Sequence, residues 1–287
     1  MLTDKIHLLR TTDEADGPED LFGESLGALF PDDITNLHGD FGHSVVYRSP
    51  IHGDIVLELA DPNGDDSRKL NSHFLWNSSL QLSELIEEAQ REDKWDVRGK
   101  RVLELGAGTG LAGIVATKSG ALEVCIADYP APEVLANIRK NVEKNIPECQ
   151  RIPKDRRYPQ CWVQGHEWGA LDDKDPFVQQ NKEAFDILLV ADCLWMPWQH
   201  ASLQNSIAHF MRPDAKVWVV AGFHTGRASM AKFFFTDRLA EHGLELESIV
   251  ERDPDGNERP WVFDRGNEDI TERKRWLAIA VLRRRVA

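Results

Sequence analysis

Residues 102–113 read VLELGAGTGLAG. The run opens apolar, as a strand buried on both faces does, and then turns on glycines. Two registers are open. Taken from Gly108, GTGLAG fits the dinucleotide pattern GxGxxG, and a dehydrogenase follows. Taken from Gly106, GAGTG is GxGxG directly after the strand RVLEL. The second register is better placed, because Gly106 then falls at the strand end, where the chain must turn without a Cβ in the way. The first would keep turn glycines inside the strand.

The acids decide between ligands. Glu104 lies within the apolar run, and a buried carboxylate is costly unless something pairs with it. The dinucleotide pattern gives it no role. It has one if the ligand carries a cation beside the turn, such as the amino group of an amino-acid moiety. Otherwise it pairs with a backbone donor or an arginine and serves structure. Asp128 closes EVCIAD twenty residues after Gly108, the offset at which a carboxylate meets ribose hydroxyls. Its structural alternative is a helix cap before APEVLANIRKN. Together the two acids favour a nucleoside bearing an amino acid, S-adenosyl-L-methionine.

Outward from this stretch, short apolar runs alternate with helical ones. RVLEL precedes a helix over 111–119, EVCIAD one over 132–145, FDILLVAD one over 199–211, and KVWVVAGF one over 228–242. CWVQGHEW is followed by a loop. Continuous apolar strands separated by helices predict a parallel sheet covered on both faces. LELESIVER and RWLAIAVLRRR predict a closing hairpin at the sheet edge. Upstream, residues 43–60 alternate around a Pro/Gly turn and read as a β-hairpin, and residues 71–93 carry helical spacing. Residues 11–20, TTDEADGPED, are acidic and without apolar period, which reads as a flexible leader.

Composition narrows the function. No run of about 18 apolar residues occurs, so no membrane span is expected, and MLTDKIHLLR is too polar for a signal peptide. Cys125, Cys149, Cys161 and Cys193 form no CxxC pair, which argues against a structural metal site and for reduced thiols in the cytosol or nucleus, with a cytoplasmic setting expected. The net charge of −14 argues against direct nucleic-acid binding and suits a basic protein partner.

The stretch from VLELGAGTGLAG through ADYPAPEVLANIRKN, with HFLWNSS upstream and VADCLW after the fourth strand, resembles the seven-β-strand methyltransferases. Within them it is similar to the protein lysine and N-terminal methyltransferase branch, which includes fungal nicotinamide N-methyltransferase-like and elongation factor 1-alpha methyltransferase-like proteins. The likeness runs from about residue 21 to the C-terminus. It implies an α/β fold, a doubly wound, mostly parallel seven-stranded sheet with an N-terminal hairpin and helix extension. The domains would be a flexible acidic leader at 1–20, the extension at 21–94 and the S-adenosylmethionine-binding domain at 95–287.

By the same resemblance Trp76 contacts the cofactor, Gly106, Ala107 and Gly108 cradle its methionine part, and Asp128 is the ribose acid. Trp168 packs near the adenine, and Ala191 is a contact after the fourth strand. Asp192 and Trp195 of DCLW stand where the target amine arrives, with Trp where the branch commonly has Tyr or Phe. Asp192 could orient that amine and Trp195 hold it by a cation–π contact. Their structural alternatives are a helix cap and a core ring. Deprotonation is expected to go to water. His224 ends the fifth strand and could reach the substrate side, but a lone histidine there is more often a hydrogen-bonded loop residue and is not taken as a site residue. The implied activity is S-adenosylmethionine-dependent N-methylation of a protein lysine or N-terminal amine, with elongation factor 1-alpha the candidate substrate and S-adenosyl-L-homocysteine the product. The alternatives are a nicotinamide-like small-molecule enzyme and a non-catalytic nucleotide-binding scaffold. The loops 151–160 and 253–269 are candidate substrate-facing segments.

Overall fold

The computed structural model describes residues 1–10, 37–39, 43–60, 74–89, 93–147, 160–235 and 237–285. The acidic stretch 11–20 and the insertion 151–159 lie outside the described residues. The chain opens on a 3₁₀ turn, Leu2–Lys5, and strand β1 (Ile6–Arg10). This corrects the flexible-leader reading over its first ten residues. Leu2 is buried, and its N–H donates to the Pro254 carbonyl at 2.7 Å.

Strands β2 (Leu37–His38), β3 (His43–Ser49) and β4 (Gly53–Glu58) follow. The expected hairpin is β3 and β4, with β1 added antiparallel on the other side of β3. Val45, Tyr47, Ile55 and Leu57 alternate inward and are fully buried. Ser49 Oγ accepts the N–H groups of Ile51 and His52 at 3.2 and 2.7 Å, closing the turn. Strand β5 (Leu75–Trp76) pairs with β2 and runs directly into helix α1 (Asn77–Glu88).

The central layer begins with β6 (Arg101–Leu105), α2 (Leu111–Lys118), β7 (Glu123–Asp128), α3 (Pro132–Asn145) and β8 (Gln160–Gly165). It continues with α4 (Pro176–Gln180), β9 (Phe185–Ala191), α5 (His200–Phe210) and β10 (Met211–Gly222). The single helix expected over 228–242 is two, α6 (Arg227–Phe234) and α7 (Asp237–Glu241). The chain closes with β11 (Leu244–Arg252), β12 (Glu258–Pro260), α8 (Ile270–Arg275) and β13 (Leu277–Arg284).

The sheet order is β12-β11-β13-β10-β9-β6-β7-β8. From β8 to β10 neighbouring strands are parallel; β13, β11 and β12 are antiparallel to their neighbours. The closing hairpin forms with β13 inserted between β10 and β11, and three residues of the 253–269 stretch add β12 as a short eighth strand.

Along β6 and β9 successive side chains enter two different cores. Val102, Ile187 and Leu189 pack on the side of α1, α2 and α3, while Leu103, Leu105, Leu188 and Val190 pack on the side of α5 and α6. Burial on both faces is why these strands read as unbroken apolar runs. Leu80, Leu85 and Ile86 of α1 share the first core, so apolar packing is continuous across residue 94. The strand order reverses between β6 and β9, which puts a crevice beyond their carboxyl ends.

An asparagine ladder joins the N-terminal sheet to this layer. Asn145 accepts from Val56 N–H at 3.0 Å and donates to Val56 O at 2.8 Å; Asn141 does the same with Glu58 at 2.7 and 3.0 Å. These i, i+4 amides on α3 satisfy the open edge of β4. Asn141 also donates to Thr109 O at 3.0 Å, so the ladder reaches the glycine turn.

Candidate active site

The turn after β6 is a glycine structure. Gly106, Gly108 and Gly110 have φ of +68°, +57° and +80°, a region costly for residues with a Cβ. Gly106 is also crowded: a Cβ there would lie 2.6 Å from Cys193 Sγ and 2.8 Å from Trp168 Cζ2. Ala107 N–H donates to Ala127 O at 3.1 Å and Ala107 O accepts from Gly110 N–H at 2.9 Å. Ala107 is thus buried behind the turn and does not line the cleft.

Glu104 is 1% exposed and points toward the first turn of α2. Its Oε2 accepts from Gly113 N–H at 2.9 Å, and Oε1 has no hydrogen-bond partner among the described residues. Burial pushes its pKa up to about 8, against the Gly113 N–H and with a smaller push from Asp128. A Cβ on Gly113 would come within 2.7 Å of Oε2. Glu104 therefore lies beneath the glycine turn, holding α2, and does not line the cleft where the charged end of a ligand was expected to meet it.

Asp128, at the end of β7, does line it. Its Oδ2 accepts from Gly108 N–H at 2.7 Å and its Oδ1 from Tyr129 N–H at 2.6 Å. Burial raises its pKa to about 6 in spite of both donors. Beyond β8, His166 is buried with Nε2 at 2.8 Å from Ser206 Oγ, which also accepts from Gly169 N–H at 2.9 Å. This pins the turn carrying Trp168 to α5. Burial holds His166 neutral, with its pKa down at about 4.

Trp76, Gly106, Gly108, Asp128, Trp168 and Ala191 line one cleft. Asp192, Trp195, Met196, Gln199, Tyr129, His166 and Glu167 complete its wall with Cys193. Glu104 and Ala107 are the expected contacts that fall outside it.

On the β9 side Asp192 is a buried non-glycine residue at φ +57°, in the left-handed region. Its N–H donates to Val220 O at 2.8 Å and its Oδ1 accepts from Gly222 N–H at 2.9 Å. His224 Nε2 stands 3.0 and 2.9 Å from its two oxygens. Burial disfavours the charged imidazole, yet the Asp192 carboxylate raises its pKa above the ordinary value. The Cys193 thiol, pushed well up by burial and three nearby acids, donates to Leu105 O and Ala191 O at 3.3 Å and is no nucleophile.

Trp76, Asp192, Trp195, His224 and Thr225 line a second cleft, which shares its first three residues with the first one. Trp76 meets His224 edge to face with centroids 5.1 Å apart. Sequence reasoning set His224 aside, although it follows the carboxyl end of β10, the same kind of position that singled out the other candidates.

A glycine turn after the first strand of the parallel run, an acid ending the next, and a polar strand end across the order reversal define a Rossmann-like methyltransferase. The residues fit S-adenosylmethionine, with a Cβ-free cradle at Gly106 and a buried acid, Asp128, on the cleft wall. The family description Lysine methyltransferase matches residues 63–239. The chain is 32% identical to protein N-terminal and lysine N-methyltransferase EFM7 of Gibberella zeae, over 63% of this chain and 69% of that protein. It is 31% identical to the Schizosaccharomyces pombe protein of the same name, over 71% and 78%. A TehB-like SAM-dependent methyltransferase structure from Corynebacterium glutamicum superposes with a TM-score of 0.44 at 19% identity, covering 71% of this chain and 87% of that one. The chain belongs to the lysine methyltransferase family and is an S-adenosylmethionine-dependent N-methyltransferase.

Proposed function

We propose that this enzyme methylates a protein amine, either a lysine side chain or an N-terminal α-amine, with elongation factor 1-alpha as the candidate substrate. The observation that carries the reading is the second cleft, which meets the cofactor cleft at Trp76, Asp192 and Trp195. An amine entering there faces one carboxylate and two indoles, a setting that attracts and desolvates a primary ammonium group. The net charge of −14 supports a basic partner, and the names of the two fungal relatives support a protein one.

When bound, S-adenosylmethionine supplies a methyl group already activated by its sulfonium charge. The chain's own part is placement. The backbone of Gly106 and Gly108 would hold the methionine part, Asp128 the ribose and Trp168 the adenine. Glu104 and Ala107 act behind the turn by fixing its shape. Asp192 and Trp195 guide the amine, and the surrounding indoles keep water from the transfer.

The test is incubation of the purified enzyme with S-adenosylmethionine and either elongation factor 1-alpha or nicotinamide, followed by mass spectrometry. A gain of 14 Da per methyl group, roughly the mass of one CH₂, on a lysine or N-terminal peptide is the expected result. Methylation of nicotinamide alone would replace the protein-substrate reading. Binding of S-adenosylhomocysteine without transfer to either would leave a non-catalytic nucleotide-binding protein.

A further inference from the structure

We propose that His224, held by Asp192 at the junction of the two clefts, is the proton acceptor for the incoming ammonium group; the inference rests on the amine-methyltransferase reading above. A lysine ammonium with a pKa of about 10.4 has a free lone pair in only about one molecule in 2,500 at pH 7. Something must remove its proton before it can attack. A carboxylate alone works against that, since a neighbouring negative charge favours the cation. An imidazole between the carboxylate and the amine reverses the effect.

The geometry is that of an oriented base. Asp192 accepts from Gly222 N–H at 2.9 Å and from His224, whose Nε2 stands 2.9 and 3.0 Å from the two oxygens. An ionised carboxylate only accepts, so Nε2 carries the hydrogen and Nδ1 keeps the lone pair. Nδ1 takes no hydrogen bond from the described residues, and the side chain, 27% exposed, lines the second cleft.

The ring has a built seat. A Cβ on Gly222 would stand 2.9 Å from Nε2 and 3.2 Å from Cε1, so a glycine is what lets the imidazole fold back over the strand end. Trp76 closes the other side, edge to face at 5.1 Å. The charged groups acting on the ring are Asp192, which favours its protonation, and Lys274 of α8, which opposes it.

In the proton step the ammonium N–H bond breaks and an Nδ1–H bond forms on His224. The freed nitrogen pair then forms the N–C bond as the S–C bond breaks and its electrons pass to sulfur. The imidazolium returns its proton to solvent. Asp192 does not change protonation; it sets the tautomer and stabilises the imidazolium.

Two measurements test this. The first is an NMR titration of the His224 imidazole in the ligand-free full chain, assigned with His224→Gln. Its pKa is expected above the ordinary 6.5, falling in Asp192→Asn. The second is single-turnover methylation of elongation factor 1-alpha from pH 6 to pH 9. The neutral ring is the competent form, so the wild-type rate falls as pH drops through the imidazole pKa. His224→Gln is expected to bind S-adenosylhomocysteine within about threefold of wild type, to lose about 100-fold in rate at pH 7, and to lose this ionisation from its profile. A variant with wild-type rate and profile overturns the proposal, as does a His224 that titrates below 6.5 and ignores Asp192→Asn. Should His224→Gln not fold, the wild-type titration and profile decide alone. Should the wild type transfer no methyl group to any amine while binding the cofactor product, the functional reading falls first and the proposal with it.

Discussion

The two walls of the cleft use their acids differently. On the glycine-turn side, Asp128 on the wall and Glu104 beneath the turn accept only backbone N–H groups, from Gly108, Tyr129 and Gly113, and burial lifts them to about 6 and 8. On the β9–β10 wall, Asp192 accepts one backbone N–H and faces a histidine side chain. The first arrangement shapes a loop; the second sets an imidazole against a carboxylate beside the second cleft. Position at a strand end thus selects candidates, but the donor each acid meets decides its task.

The sharpest way to break the glycine-turn wall is Gly106→Ala. The added methyl collides with Cys193 and Trp168 at a backbone conformation that already disfavours it. Strain of about 1–2 kcal/mol and overpacking of about 1–3 kcal/mol should lower stability by roughly 2–5 kcal/mol. S-Adenosylhomocysteine affinity is expected to fall at least about 100-fold by calorimetry. Affinity within threefold of wild type would mean that Trp168 swings aside freely and that the cradle is not tightly built.

Glu104 gives a pH test. Its folded-state pKa of about 8 lies above the ordinary 4.5, so the fold favours the protonated acid. The stability this contributes is fully present below 4.5 and is lost as pH rises through 8. Asp128, raised from 3.8 to about 6, does the same at lower pH. Glu104→Gln removes only the first contribution. In ligand-free melts the variant should therefore gain on wild type by about 6–12 °C between pH 5 and pH 8, on the order of 3 kcal/mol for this chain length. A constant difference across that range would place a satisfied, ionised carboxylate at Glu104.

The contrast between the walls also explains what could be read in advance. The alternation of apolar runs and helices, the glycine register and the strand-end acids are local patterns, and each stands where the fold uses it. Glu104's task was legible only as two alternatives, because its donor, Gly113, is fixed by how α2 packs on β6. His224 was passed over because its partner is 32 residues away and is brought close only by parallel pairing of β9 with β10. Order at the N-terminus depends on more distant contacts still, with Leu2 bonded to Pro254. The three residues of β12 carry no apolar run at all; pairing with β11 defines them.

A smaller effect separates the Trp168 end of the cleft from the turn. Ser206 Oγ serves both His166 and Gly169 N–H, and Ser206→Ala leaves both short of a partner at a cost of about 1–2 kcal/mol. Trp168 loses its anchor while Asp128 and the glycines keep theirs. S-Adenosylhomocysteine affinity is expected to fall about tenfold in calorimetry. An unchanged affinity would mean that Trp168 adds little to cofactor binding.

The smallest expected change tests the outer rim on the β9 side. Trp198 is 72% exposed, between Met196 and Gln199, neighbours that both line the cofactor cleft. A large ring left in water beside the site stabilises little, so Trp198→Ala should shift stability by less than about 0.5 kcal/mol. Cofactor-product binding should also stay as in wild type. If a protein docks across this rim, the ring is buried on docking, and the KM for elongation factor 1-alpha should rise about three- to tenfold with kcat unchanged. An unchanged KM would move the docking surface away from this rim. A fall in kcat instead would mean that the ring supports Trp195 from outside, joining the rim to the His224 pair rather than to the partner.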